Sequence, residues 1–278
     1  MLDIPLPRIF GQTVLTASAL RQHLTAPRPS PLHMPQLLAH WPALSHWRRS
    51  DNLDHLRRSI GDDRQVEVEL VRRGRGYLDP SLSRVHMSFG TYLDAFILDR
   101  IPSQGDLSTL PTAYLAQMDL CDAGNVQEDV PPLPHFQSGP QASMYRRTLW
   151  IGPEGSFTPF HQDPYIGLYS QVMGNKTFFV LPPEAADSLQ PSTVPQHTNT
   201  STVPISVTRI FSEADSEGEM IPPHTLERFR AQLIKAFALP GACQVMLTAG
   251  ESILVPQGWW HSAEGIDGPG IGVGAWFR

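Results

Sequence analysis

Phe157-Thr158-Pro159-Phe160-His161-Gln162-Asp163-Pro164-Tyr165, then a largely apolar run over 166–173, then Gly174-Asn175-Lys176-Thr177-Phe178-Phe179-Val180-Leu181-Pro182-Pro183, is the stretch whose reading decides the fold. In a β-strand, side chains at i and i+2 share a face. The imidazole of His161 and the carboxylate of Asp163 then converge on one point. Downstream, the strand-like Ser252-Ile253-Leu254-Val255-Pro256 leads to Gly258-Trp259-Trp260-His261. His261, at the end of that second strand, completes two imidazoles and one carboxylate. Such a set covers one face of an octahedral metal and leaves the other open, as in non-haem Fe(II) sites.

Gly174-Asn175 is a two-residue hairpin signal. It predicts that the strand ending at Val172 turns back antiparallel to 177–181. Lys176 follows that turn and leads into the apolar Phe178-Phe179-Val180-Leu181. A lysine there is either a surface residue beside the turn or, if buried, one that needs an anionic partner. The carboxylate of a small organic acid fits the second reading. Thr158 and Tyr114 could add hydroxyls to the same carboxylate.

Outward from this centre, the N-terminal part reads as helical and the C-terminal part as short strands. Leu37, Leu38 and Trp41 form a short apolar patch ending at Pro42. Asp51 can cap a helix with apolar Leu53, Leu56 and Ile60, stopped at Gly61. Residues 65–71 alternate strictly, with Val66, Val68 and Leu70 toward a core and Glu67 and Glu69 toward water. Arg72, Arg73 and Arg75 follow in a Gly-broken loop, either a solvated turn or a basic rim. Residues 88–98 suggest a helix with Leu93, Phe96 and Ile97 inward, and 112–117 a buried strand. Residues 184–224 are the least regular, and a helix from Pro222 with Thr225 as N-cap places Leu226, Phe229, Leu233 and Phe237 on one side. Strands at 244–247, 252–255 and 271–277 close the chain. The expected organisation is a helical and strand part over 1–110 packing on a mainly β core over 111–278, with an irregular insert at about 184–240.

Composition bounds the function. A net charge of −6 argues against a general nucleic-acid binder, though Arg57, Arg58, Arg72, Arg73 and Arg75 could form a local patch. The start of the chain has an early acid, two prolines and no apolar stretch of a signal peptide, and no run reaches the roughly 18 apolar residues of a membrane span. An intracellular protein, in nucleus or cytoplasm, is expected. Cys121 and Cys243 lack zinc-type spacing and read as buried free thiols. The remaining histidines (His23, His33, His40, His46, His55, His86, His135, His197 and His224) have no partner spacing and read as structural or exposed. No nucleophile elbow, P-loop or dinucleotide fingerprint is present.

Several segments together resemble the Jumonji-C (cupin-like) Fe(II)- and 2-oxoglutarate-dependent oxygenases, in their small hydroxylase branch. They are Thr158-Pro159-Phe160-His161-Gln162-Asp163-Pro164, Gln171 to Lys176, the following Leu-Pro-Pro, Gly250 to His261, and Tyr114-Leu115-Ala116-Gln117. The resemblance implies a double-stranded β-helix core. It implies Fe(II) on His161, Asp163 and His261, and the distal carboxylate of 2-oxoglutarate on Lys176 with Thr158 and Tyr114 assisting. It implies O2 as co-reactant and, as partner, a protein or peptide substrate hydroxylated on a side chain. An N-methyl demethylase, an RNA-nucleoside hydroxylase and a non-catalytic metal-binding module are the alternatives. One position departs from the pattern: Gly167 stands where many relatives have asparagine, which removes a polar contact near cosubstrate or substrate. The C-terminal dimerisation helices of some relatives are not expected.

Overall fold

One antiparallel sheet carries His161, Lys176 and His261, and its register explains how residues distant in sequence meet. The computed structural model describes residues 4–11, 15–101, 111–212 and 221–278. In chain order it forms α1 (Ala17–Leu24), β1 (Leu32–Met34), α2 (Ala43–His46), α3 (Asp54–Ile60), β2 (Gln65–Val71), β3 (Ser83–Ser88), α4 (Phe89–Tyr92), β4 (Thr112–Met118), α5 (Val126–Asp129), β5 (Met144–Gly152), β6 (Phe157–Gln162), β7 (Ile166–Leu181), α6 (Ala186–Leu189), α7 (Val207–Phe211), α8 (Pro223–Phe237), β8 (Cys243–Leu247), β9 (Ser252–Val255) and β10 (Trp260–Phe277).

Two long strands are the spine. β7 and β10 pair antiparallel from Ile166 opposite Phe277 to Leu181 opposite Trp260. β6 covers the first half of β10 and β5 the second. β9 and β8 do the same for the two halves of β7. This is the paired-strand arrangement of a jelly roll, as expected. β4, β2 and β3 extend the sheet beyond β5, and β1 pairs with β9. N-terminal residues are therefore strands of the same sheet. Residues 102–110, which end at the expected boundary, lie outside the described residues, as do 213–220 of the irregular insert.

The expected hairpin is not there. β7 runs straight through Gly174-Asn175. The irregularity belongs to β10: Ile266 faces Asn175 and Ile271 faces Met173, so residues 267–270 are left over as a bulge. A Cβ on Gly174 would lie 2.3 Å from the Pro269 carbonyl oxygen, and its φ is +72°. Glycine is required because a crossing backbone passes close, not because the chain reverses.

Elsewhere the local rules hold with shifted boundaries. In β2, Val66, Val68 and Val71 are buried. α3 stops at Gly61 (φ 95°) but has no Asp51 cap; Asp51 accepts from Arg48 Nε at 2.8 Å. α8 begins with Pro223 in its first turn rather than at a Thr225 cap, a position where the missing N–H costs nothing. Residues 89–97 form α4 and a π-turn, with Leu93 and Ile97 buried. Cys121 and Cys243 are buried and free, and burial pushes both thiols up to about 12. Among the described residues, no helix is long and apolar enough to cross a membrane.

The core explains the rigidity of the site. Phe160, Phe179 and Trp260 pack with Phe229, Leu233 and Phe237 of α8 and with Val203, Ile205 and Ile210. Phe160 and Trp260 directly precede His161 and His261 in sequence. Period-2 alternation sends the aromatic into the core and the next residue to the opposite face. Truncating such a buried aromatic costs about 3–5 kcal/mol, so both strands are held firmly behind the histidines.

Candidate metal centre

β6 and β10 set the distance between the histidines. The register pairs His161 directly with His261, and the ring centroids are 4.2 Å apart. Asp163 lies just past the end of β6. His161 Nε2 is 3.7 Å from Asp163 Oδ1, and His261 Nε2 is 3.4 Å from Asp163 Oδ2. Each ring turns its other nitrogen to a main-chain carbonyl two residues back: His161 Nδ1 to Pro159 at 2.9 Å, His261 Nδ1 to Trp259 at 3.4 Å. A carbonyl only accepts, so Nδ1 carries the proton and Nε2 keeps its lone pair for a ligand.

Electrostatics favour a cation here. Burial, then the neighbouring His261, lowers His161 to about 4, so the ring is neutral at neutral pH. Burial alone would raise Asp163. Its contacts with His261 and His161 and the indole N–H of Trp276 outweigh this and hold the carboxyl well below the usual range. Trp276 Nε1 donates to Asp163 Oδ2 at 2.7 Å. Two imidazole nitrogens and an ionised carboxylate, with their ligand atoms within 4.8 Å of one another, fit a divalent transition metal.

Beside this cluster lies a buried ammonium. Lys176 sits in β7 at 6% exposure. It donates to Tyr114 Oη at 2.6 Å and approaches Tyr169 Oη at 3.4 Å. The rings of Tyr169, Tyr114 and Trp150 surround it at 4.8, 5.1 and 5.5 Å. Thr158 and Tyr114 line the same cleft. Burial lowers Lys176 to about 7. Among the described residues no carboxylate pairs with it. A desolvated ammonium held by phenols and aromatic rings suits an incoming carboxylate. All six residues singled out from the sequence, His161, Asp163, His261, Lys176, Thr158 and Tyr114, therefore lie at one place.

Sequence reasoning missed the lining. Gly272, Gly274 and Trp276 alternate with core-facing Ile271, Val273, Ala275 and Phe277. A Cβ on Gly272 would lie 2.1 Å from the Tyr169 hydroxyl, and one on Gly274 2.8 Å from Trp150 Nε1. The two glycines make room for the aromatic groups around Lys176. Small residues at every second position of an otherwise apolar strand were the available signal. At Gly167, an added Cβ would meet Asp163 Oδ2 at 3.6 Å and Trp276 Nε1 at 3.9 Å, so a methyl group fits there at ordinary contact distance and faces the cluster.

An outer cleft of about 650 Å³ opens onto His161 and Asp163. Glu67, Glu69, Arg84, Asp119 and Arg146 line it. The glutamate face of β2, expected to meet only water, thus forms one wall. Residues 199–201 of the irregular insert form another: Thr200 bridges to His161, and Ser201 N donates to the Phe160 carbonyl at 2.8 Å. Tyr77 Oη lies 2.8 Å from Thr200 Oγ1. The arginines offered as a basic patch are largely neutralised: Arg57 by Asp94 and Asp62, Arg73 by Glu154, with Arg72 and Arg75 beside Asp79.

The profile of the cupin-like domain family matches residues 17–278. The chain belongs to the cupin-like, Jumonji-C-type 2-oxoglutarate oxygenase family. Among cupin-like relatives, it is 26% identical to "Lysine-specific demethylase JMJ30" of Arabidopsis thaliana over 232 residues, 84% of this chain and 46% of the relative. It is 26% identical to "Lysine-specific demethylase 8" of Xenopus tropicalis over 250 residues, 89% of this chain and 48% of the relative. A third, "HSPB1-associated protein 1" of Homo sapiens, is 32% identical over 132 residues, 47% of this chain and 23% of the relative. The chain spans about half the length of the two demethylases it matches. The family and the jelly-roll core expected from the sequence are those found.

Proposed function

We propose that this chain is an Fe(II)- and 2-oxoglutarate-dependent dioxygenase that hydroxylates a side chain of a protein or peptide. The observation that carries this reading is a two-histidine, one-carboxylate cluster lying next to a buried ammonium that no carboxylate partners among the described residues. His161, Asp163 and His261 would hold the iron. Lys176, Tyr114 and Thr158 would bind the distal carboxylate of 2-oxoglutarate. When bound, the iron and the oxoacid supply the oxidising power by which O2 converts 2-oxoglutarate to succinate and CO2 while one oxygen atom enters a substrate C–H bond.

The protein's own part is positioning and exclusion of water. The Nδ1 contacts fix both rings, and the Trp276 N–H holds Asp163. Leu168, Phe178, Val255 and Ala263 give the inner cavity an apolar wall. The outer cleft is polar, with acids and arginines already paired across it: Arg84 with Glu69, Arg146 with Asp119. Such a rim suits a peptide carrying polar groups better than a phosphate backbone. Free buried thiols fit the reducing nucleus or cytoplasm.

A second reading is favoured by the relatives named as lysine-specific demethylases. If the oxidised carbon is an N-methyl group, the hydroxylated product loses formaldehyde and the methyl is gone. Incubation with Fe(II), 2-oxoglutarate and a peptide panel separates the outcomes by mass. A gain of one oxygen supports hydroxylation, and loss of a methyl with formaldehyde supports demethylation. No succinate above background from peptide or RNA panels would overturn both and leave a non-catalytic metal-binding module.

A further inference from the structure

A second meeting of two imidazoles and one carboxylate lies on the helical side of the molecule. His46 ends α2, His55 lies in the first turn of α3, and Asp129 ends α5. His46 Nδ1 is 2.6 Å from Asp129 Oδ1, and His55 Nε2 is 2.9 Å from Asp129 Oδ2. The two ring centroids are 4.3 Å apart, close to the 4.2 Å of His161 and His261. Trp47 Nε1 donates to Asp129 Oδ2 at 2.9 Å, fixing the carboxylate from behind. One ligand atom from each of the three residues lies within 4.8 Å of the other two. None of these residues borders the cavity or the cleft of the first centre.

Burial makes this arrangement more than a surface network. The Asp129 side chain is 3% exposed, while those of His46 and His55 are 42% and 39% exposed. Among the described residues, no lysine or arginine pairs with Asp129. A buried carboxylate needs a compensating charge as well as hydrogen bonds. His46 and His55 each turn one ring nitrogen to it. A divalent cation among these three residues would supply the charge and take one ligand atom from each. The indole of Trp47 then plays the outer part that orients a ligating carboxylate. The half-exposed rings leave a path for water to complete the coordination.

We propose that His46, His55 and Asp129 form a second metal site, for Zn2+ or a comparable borderline divalent ion, that clamps the ends of α2, α3 and α5 together. Two nitrogens and one oxygen suit zinc, copper or nickel rather than magnesium or calcium. The elements joined carry core residues Trp47, Leu56 and Val126, so the role assigned is structural.

The test separates the two sites. A His161→Ala/His261→Ala chain lacks the first centre, whatever that centre does. Metal-stripped and titrated with Co(II) and with Zn(II), this full-length variant is expected to bind one equivalent, with a visible Co(II) ligand-field spectrum and a higher melting temperature in Zn(II). Adding His55→Gln, and separately His46→Gln, should weaken that binding by at least about tenfold, since even outer-shell losses act on that scale, and abolish the zinc-dependent shift in melting temperature. Both changes are at half-exposed positions, and far-UV circular dichroism checks that the chains fold. No bound Co(II) or Zn(II) in the folded double variant would overturn the proposal and leave a hydrogen-bonded His–Asp–His cluster. Binding that survives both glutamine substitutions would overturn it too.

Discussion

His161, Asp163 and His261 have a counterpart in His46, His55 and Asp129: the same residue types with almost the same spacing between the rings. Their surroundings differ. The first set sits on strands, opens into an apolar cavity and lies beside the ammonium of Lys176. Its nitrogen–oxygen separations of 3.7 and 3.4 Å leave room between the groups. The second sits at helix ends, opens to solvent and is drawn together to 2.6 and 2.9 Å. Donor chemistry alone therefore does not make an oxidation site. The strand frame, the apolar inner cavity and the neighbouring cation distinguish a centre that can take a second ligand from one that ties helices together.

The same substitution made in each set should have opposite consequences. Asp163→Asn should lower succinate formation by more than about 100-fold, beyond the range of outer-shell losses, with little change in the denaturation midpoint. Asp129→Asn should instead lower stability by about 1–3 kcal/mol, because it unpairs buried donors, while the folded fraction keeps its turnover. Equal loss of turnover in both would end the distinction.

Lys176→Met should weaken 2-oxoglutarate binding by about 2–5 kcal/mol, thirtyfold or more in affinity, as measured by calorimetry with Mn(II). The free protein should not be destabilised, since the substitution removes a buried ammonium that pairs with no carboxylate among the described residues. Trp276→Phe deletes the N–H on Asp163 and should weaken Mn(II) binding by about 10–100-fold, read by equilibrium dialysis.

Lys176 also makes oxoacid binding sensitive to pH. Burial holds the free ammonium at about 7, against 10.5 in its unperturbed state. A bound carboxylate keeps it protonated. Above pH 7, binding should take up one proton, and affinity should fall by up to about tenfold per pH unit, visible as buffer-dependent heats. In the oxoacid-free protein the unfolded chain holds this proton between pH 7 and 10.5 and the folded chain does not. Stability from this group should therefore rise with pH across that window. The smallest effect concerns Gly167. Its added Cβ meets nothing closer than 3.6 Å, so Gly167→Ala should raise stability by no more than about 1 kcal/mol, measured by chemical denaturation.

The candidate site was legible where chemistry and period coincide in a few residues: His161 and Asp163 at i and i+2, and Lys176 heading a buried strand. The β2 alternation and the α8 stripe were legible for the same local reason. What the sequence hid depends on remote neighbours. Gly174-Asn175 has the composition of a reversal, but its glycine answers to the Pro269 carbonyl of β10. Glu67 and Glu69 alternate outward as read, yet the water they face is the floor of the cleft. His46 and His55 have no motif spacing with Asp129, 83 residues beyond His46, and only the packing of three short helices brings them together. Residues 199–201 looked irregular because their order comes from pairing with β6 rather than from a periodicity of their own.

The central claim is that one divalent ion on His161, Asp163 and His261 shares its cavity with an oxoacid anchored by Lys176. A crystal structure of the full chain grown with Mn(II) and 2-oxoglutarate tests it most directly. Metal density bound by those three side chains is expected, with a carboxylate of the oxoacid on Lys176 Nζ and Tyr114 Oη. Metal bound elsewhere, or an oxoacid seated away from Lys176, would contradict it.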